Sequence, residues 1–283
     1  MMRAFDYARP STLADAFELL SAPDGGVKAL AGGTDLLVGL RNGAIRSRTV
    51  VDLKHIRELA PIIRADEEGT SIGANTVLAQ LTASEGLRRD FPALVESAAV
   101  VGSVQIRHRA TLAGNLCNAS PAADTVPALL AYGADVVICG PSGERRVRVE
   151  DFILGPRQTA LTVGEIVTTI ILPTPKPGTG AAFARLTRRR GVDLAILSVC
   201  CLVDPDGEAR FGLGAVGPRP FLVRDSAAAA AGSPPDERFA ALVAKAAPIT
   251  DIRASRDYRQ AMITVLARRT LATAIERSQW VSP

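Results

Sequence analysis

Two glycine-bearing segments hold the residues best suited to chemistry. Ala31-Gly32-Gly33-Thr34-Asp35 follows the β-like run Val27 to Leu30 and leads into Leu36 to Leu40, which reads as the start of a helix. Glycines at the end of a strand let the backbone approach a phosphate closely, and a following helix turns free N–H groups toward the anion. The spacing of a GxGxxG fingerprint is missing, and so are the Lys and Ser/Thr of a P-loop, which sets aside the common dehydrogenases and NTPases. The second segment, Thr111-Leu112-Ala113-Gly114-Asn115, offers similar chemistry with one glycine fewer, and Asn118, Ser120 and Asp124 follow it. Either segment alone reads equally as a turn. Two of them in one domain suit a long ligand that carries a pyrophosphate. Asp124 itself reads as a ligand contact or as the N-cap of the helix expected over Thr125 to Ala131.

Other reactive residues offer less. Cys117, Cys139, Cys200 and Cys201 form no CxxC pair and have no nearby histidine, so spacing assembles neither a zinc nor an iron–sulfur site. Buried free thiols are expected, with no metal ligands in the chain. Arg188-Arg189-Arg190, next to Asp193, reads as a solvated charged loop.

The elements that must position the two segments can be read from pattern. Leu13 to Leu20 has helical spacing behind a polar cap at Ser11 or Thr12, and ends before the turn at Ala22 to Gly26. Strands are expected at Thr49 to Leu53, Gly69 to Ala74, Asp135 to Cys139, Arg145 to Val149 and Glu165 to Leu172. Helices are expected from Thr76, over Ala93 to Val101 and over Thr125 to Ala131. Pro173-Thr174-Pro175-Lys176-Pro177-Gly178 is the clearest linker. Beyond it, Ala195 to Val203 and Ala209 to Val216 read as strands joined by the turn Asp204-Pro205-Asp206-Gly207. Helices over Pro235 to Ala247 and Tyr258 to Arg277 complete an α+β region with helices on one side of a sheet.

With 283 residues, 47% of them hydrophobic, the chain can bury a sizeable core. Its 33 basic residues are interspersed with 29 acidic ones, and only 4% are aromatic, so neither a basic stripe nor a stacking platform marks a nucleic-acid partner. No apolar run has the length of a membrane span, and Asp6 and Pro10 interrupt the start where a secretory signal would need one. A soluble, cytoplasmic protein is expected.

At Lys28 to Leu37 and Gln105 to Asp124 the chain resembles the FAD-binding medium subunits of the molybdenum hydroxylases, the xanthine dehydrogenase and carbon monoxide dehydrogenase group. The likeness continues through Arg185 to Ala195, Gly214 to Pro220, Asp251-Ile252-Arg253 and Tyr258-Arg259. It implies an α+β fold: a two-lobed PCMH-type FAD-binding domain over 1–175, with lobes of about 1–57 and 58–175, then a smaller α+β domain over 178–281.

By position, the resemblance assigns FAD contacts to Lys28, Ala29, Ala31, Gly32, Gly33, Thr34, Asp35 and Leu36, and to Ile106, Thr111, Ala113, Gly114 and Asn115. It places Asp124 on the flavin nucleotide, Val167 beside the ring or the adenine, and Arg185 near the flavin, where relatives often have Lys. Ala113 departs from the usual first glycine of the second loop, and His108 stands where Asn is common. His108 is left as either a flavin-side acid or a surface residue, and Arg188 to Arg190 as either a solvated loop or a positive neighbour of the flavin.

The implied role is electron transfer, with no catalytic residue acting on the organic substrate. The implied partners are an iron–sulfur subunit with two [2Fe–2S] clusters, a molybdopterin-containing large subunit, and NAD, a quinone or oxygen as acceptor. Two rivals remain at this point: a non-catalytic binding module that kept the fold, and a self-sufficient flavin oxidase.

Overall fold

Three main sheets follow one another along the chain in the computed structural model, which describes residues 3–22, 26–189, 191–225 and 239–278. Arg190, Ala227 to Ala231, the residues 23–25 of the first expected turn and the start of the helix expected from Pro235 lie outside the described residues.

The first sheet is parallel. It contains β1 (Asp6–Ala8), β2 (Val27–Leu30) and β3 (Thr49–Asp52) in the order β1-β3-β2, with α1 (Leu13–Leu20) and α2 (Leu36–Arg41) in the connections. Thr12 starts α1 by accepting from the Asp15 N–H at 3.2 Å, as its side-chain chemistry favours. The β2–α2 junction is the first glycine segment, so this small sheet delivers it.

The second sheet is antiparallel and delivers the other segment. After β4 (Ile63–Asp66) and β5 (Gly69–Gly73) come six helices: α3 (Leu78–Ala83), α4 (Glu85–Asp90), α5 (Pro92–Ala99), α6 (Val104–Arg107), α7 (Leu112–Cys117) and α8 (Val126–Ala131). The chain then re-enters the sheet as β6 (Asp135–Gly140) and β7 (Gly143–Arg148). A short α9 (Val149–Phe152) and the hairpin β8 (Ile153–Gly155) and β9 (Gln158–Thr159) lead to β10 (Ile166–Leu172). The order is β4-β5-β10-β6-β7, and the central β10 is almost wholly buried.

The third sheet is antiparallel in chain order: β11 (Gly180–Leu186), β12 (Leu197–Val203), β13 (Ala209–Gly214) and β14 (Phe221–Asp225), accompanied by α10 (Ala240–Lys245) and α11 (Arg256–Arg277). All seven residues of β12 are buried, and its alternation sorts them into two cores. Leu197, Val199, Cys201 and Val203 pack with Ile263, Leu266 and Ala267 of α11, whereas Cys200 and Leu202 join the core that holds Leu129 and Leu130 of α8. The expected one-sided cover is therefore corrected: α5 and α8 of the preceding region close the other face.

Close approach makes that second cover possible. A Cβ on Gly212 would lie 2.0 Å from the Pro127 carbonyl oxygen, so only glycine lets α8 reach β13. Glu96 of α5 accepts from the Phe183 N–H at 2.9 Å and pairs with Arg277 at 2.6 Å, fixing the same junction at its edge. Sequence pattern misses the edge strands β1, β4 and β14, whose burial does not alternate cleanly, and also β11.

Candidate functional site

The two glycine segments meet. Gly32 abuts the backbone of the second segment's approach: a Cβ there would lie 2.1 Å from the Arg109 carbonyl oxygen and 2.9 Å from Ala110 Cα. Gly33 adopts φ +77°, the left-handed region that glycine enters without steric cost. Its missing Cβ would point at Leu30 and Leu37, 2.8 and 3.2 Å away. Internal packing and φ therefore dictate this glycine.

The second segment is braced in the same way. Thr111 caps α7 by accepting from the Gly114 N–H at 2.9 Å, while the Leu112 N–H donates to Thr76 O and the Leu78 N–H to Ala110 O. Ala113 lies within α7 and is not among the residues with positive φ. Its methyl group is therefore compatible with the helical backbone. Asn115 accepts from Thr125 Oγ1 at 2.7 Å, which ties α7 to the loop that carries Asp124.

Both segments open onto one cavity of ≈ 720 Å³, inside the ~300–1,000 Å³ range of ligand pockets. It is lined by Lys28, Ala29, Ala31, Gly32, Gly33, Thr34, Asp35 and Leu36 on one side and by Ile106, Thr111, Ala113, Gly114 and Asn115 on the other, with Asp124 and Val167. Arg185 is not in the wall but lies behind it, donating from Nη1 to Asp124 Oδ2 at 2.8 Å. His108 is exposed and outside the lining, so its flavin-side acid reading gives way to the surface reading.

Electrostatics concentrate at the Asp124 end. Burial pushes the Asp124 carboxyl up to about 6, with Arg185 opposing the rise. Asp124 Oδ1 and Asp193 Oδ2 are buried and have no hydrogen-bond partner among the described residues, and both side chains are only 8% exposed. The nearest cation to Asp193 Oδ2 is Arg188 Nε at 3.8 Å. Orphaned buried acceptors are costly unless something donates to them. Hydroxyl or N–H donors on a ligand would do so.

Sequence reading singled out Arg188 to Arg190 in this loop but missed Asp193 as a wall residue; Arg189, Val192 and Leu194 line the cavity beside it. It also missed Glu165, which hydrogen bonds from Arg145 hold down to about 2. Of the four thiols expected to be buried, Cys200 and Cys201 are, whereas Cys139 and Cys117 are only partly so; Cys117 is part of the wall, and desolvation raises its thiol to about 12. Below the first segment, Lys54 Nζ donates to Asp52 at 2.5 Å and to the Ala31 carbonyl at 3.4 Å, and the Tyr7 hydroxyl donates to the same buried carboxylate. Nothing in local pattern signals that triad, since its members come from different strands and a turn.

Comparison with known proteins agrees with this geometry. Residues 3–175 match the family model described as FAD binding domain in molybdopterin dehydrogenase, and residues 181–274 the CO dehydrogenase flavoprotein C-terminal domain. The chain is 31% identical to the xanthine dehydrogenase FAD-binding subunit of Escherichia coli O157:H7, over 96% of this chain and 97% of that protein. It is 32% identical to the carbon monoxide dehydrogenase medium chain of Afipia carboxidovorans, over 98% of each. A chain of the solved structure of reconstituted CO dehydrogenase from Oligotropha carboxidovorans superposes with a TM-score of 0.92 at 30% identity, over 98% of this chain and 100% of that one.

Proposed function

The chain belongs to the FAD-binding flavoproteins of the molybdopterin dehydrogenase family, and from that premise we propose that it takes electrons from an iron–sulfur partner subunit and passes them to an external acceptor. It is an oxidoreductase subunit of the xanthine dehydrogenase and CO dehydrogenase kind, and its cofactor is FAD. The residues present fit that cofactor. Gly32 lets the two loops come into backbone contact at the wall of the cavity, and the orphaned oxygens of Asp124 and Asp193 suit the hydroxyl and N–H donors of a flavin nucleotide.

In this reading the segments around Gly32–Gly33 and Thr111–Asn115 hold the pyrophosphate, with Lys28, Ala29, Leu36, Ile106 and Val167 against the remainder. When bound, FAD supplies a centre that exchanges electrons singly or in pairs. Asp124 accepts from the cofactor and Arg185 fixes the Asp124 carboxylate in position. Arg188 and Arg189 add positive charge at that end, which favours reduced, anionic forms of a bound group. Membrane anchoring plays no part in the proposal, and no helix among the described residues is long and apolar enough to cross a membrane.

The partners proposed are an iron–sulfur subunit with two [2Fe–2S] clusters and a molybdopterin-containing large subunit, in the cytoplasm, with NAD, a quinone or oxygen as acceptor. The chain is proposed to divide at the Pro173–Gly178 segment into a two-lobed FAD domain, 1–175 with a lobe boundary near 57, and a C-terminal domain, 178–281. The single observation that carries the reading is the convergence of both glycine segments and the two unsatisfied carboxylates on one cavity. Purification of the chain with its neighbours tests it. A yellow complex that releases FAD on denaturation and contains iron and molybdenum is expected; a colourless chain that takes up no added FAD would overturn the proposal.

A further inference from the structure

A second cavity, of ≈ 570 Å³, shares Ile45 with the first and is lined, among the described residues, by Arg3, Arg41, Arg46 and Arg48 with no acidic residue. The chain makes this bay by folding back. α2 ends at Asn42, Gly43 turns at φ +73°, and the Ile45 N–H donates to Gly39 O at 3.0 Å, which returns Arg46 beside the end of the helix that carries Arg41. The Arg48 backbone is pinned between two strands: its N–H donates to Gly26 O at 2.7 Å and its carbonyl accepts from the Asp6 N–H at 2.7 Å.

Local charge here departs from the mixed pattern of the rest of the chain, because no acidic residue occurs between Asp35 and Asp52. Among the described residues no carboxylate pairs with Arg3, Arg41 or Arg46, and all three are exposed. Like charges gathered in a concave wall raise the local anion concentration, and guanidinium forks match phosphate oxygens in pairs.

We propose that this arginine bay is a binding site for a small multivalent phosphate anion, separate from the FAD cavity. A concave wall of this volume favours a small ligand over a flat protein contact. Arg41 and Arg46 supply paired donors, and Arg3 closes the charge from the β1 side.

Calorimetric titration of inorganic pyrophosphate into the FAD-saturated chain tests the inference, since bound FAD keeps the glycine segments occupied. Saturable, salt-sensitive binding is expected, weakened about tenfold or more in R41Q/R46Q, which should load FAD like the wild type. R41K/R46K, which keeps the charge but loses the forks, should fall between them and serves if the first variant does not fold. Absence of saturable binding, or equal binding by wild type and R41Q/R46Q, would overturn it. So would tighter binding of polyglutamate than of pyrophosphate at the same arginines, which would make the bay a docking site for an acidic protein segment.

Discussion

Arg185 Nη1 donates to Asp124 Oδ2 at 2.8 Å across 61 residues of chain, joining β11 of the C-terminal sheet to the wall of the cavity between the two glycine segments. The two side chains are 12% and 8% exposed, so the pair is shielded from water.

A pH dependence follows. The Asp124 carboxyl is pushed up to about 6 by burial, while in the unfolded chain it titrates near 4. The folded protein therefore keeps a proton that the unfolded chain loses between those values. That advantage is full below about pH 4 and is lost as pH rises through about 6. Without FAD, the wild type should lose on the order of 3 kcal/mol relative to Asp124→Asn between about pH 4 and pH 7. Urea unfolding of both proteins across that range measures it, and parallel stability curves would refute it.

Gly32 should tolerate no side chain. Its Cβ would meet the Arg109 carbonyl at 2.1 Å, backbone against backbone, with no flexible atom to yield. Gly32→Ala should cost about 3 kcal/mol and abolish FAD retention on gel filtration. A stable, yellow variant would show that the two segments can move apart.

Ala113 is expected to be no defect. It sits in α7 with a helical backbone, where glycine costs about 1 kcal/mol relative to alanine. Ala113→Gly should lower thermal stability by that amount and leave the FAD dissociation constant unchanged. An affinity gain of tenfold would instead show that the methyl group obstructs the cofactor.

Lys54 should matter beyond its own contact. Burial pushes the Asp52 carboxyl up, but hydrogen bonds from Lys54 and Tyr7 outweigh it and hold the group below the usual carboxylate range. Such a depressed group contributes stability above about pH 4 that is lost as pH falls through its folded value. Lys54→Met removes the main partner and frees the Ala31 carbonyl, so stability at pH 7 should drop by about 2 kcal/mol and FAD binding should weaken. Unchanged FAD affinity would confine Lys54 to a structural role.

The local signals were strong where one stretch of chain carried the whole cause. Thr12 before Leu13 to Leu20 specifies a capped helix, Asp204-Pro205-Asp206-Gly207 a turn that closes with Gly207 at φ +86°, and the apolar Ile166 to Leu172 a buried strand. The glycine segments suggested a shared ligand only as a pair, and their family resemblance named the cofactor.

What the sequence determined by itself was the capped helix at Leu13 to Leu20, most inner strands and the position of both glycine segments, because capping, alternation and glycine stereochemistry act within a few positions; the edge strands β1, β4, β11 and β14 escaped it. Only tertiary structure decided why Gly32 and Gly212 must be glycine, that Asp193 joins Asp124 at one end of the cavity, and that Lys54 reaches Ala31. It also gave β12 two cores by laying α8 on one face and α11 on the other. Each of these depends on which distant segments come within a few ångströms, and that distance is set by how the sheets pack.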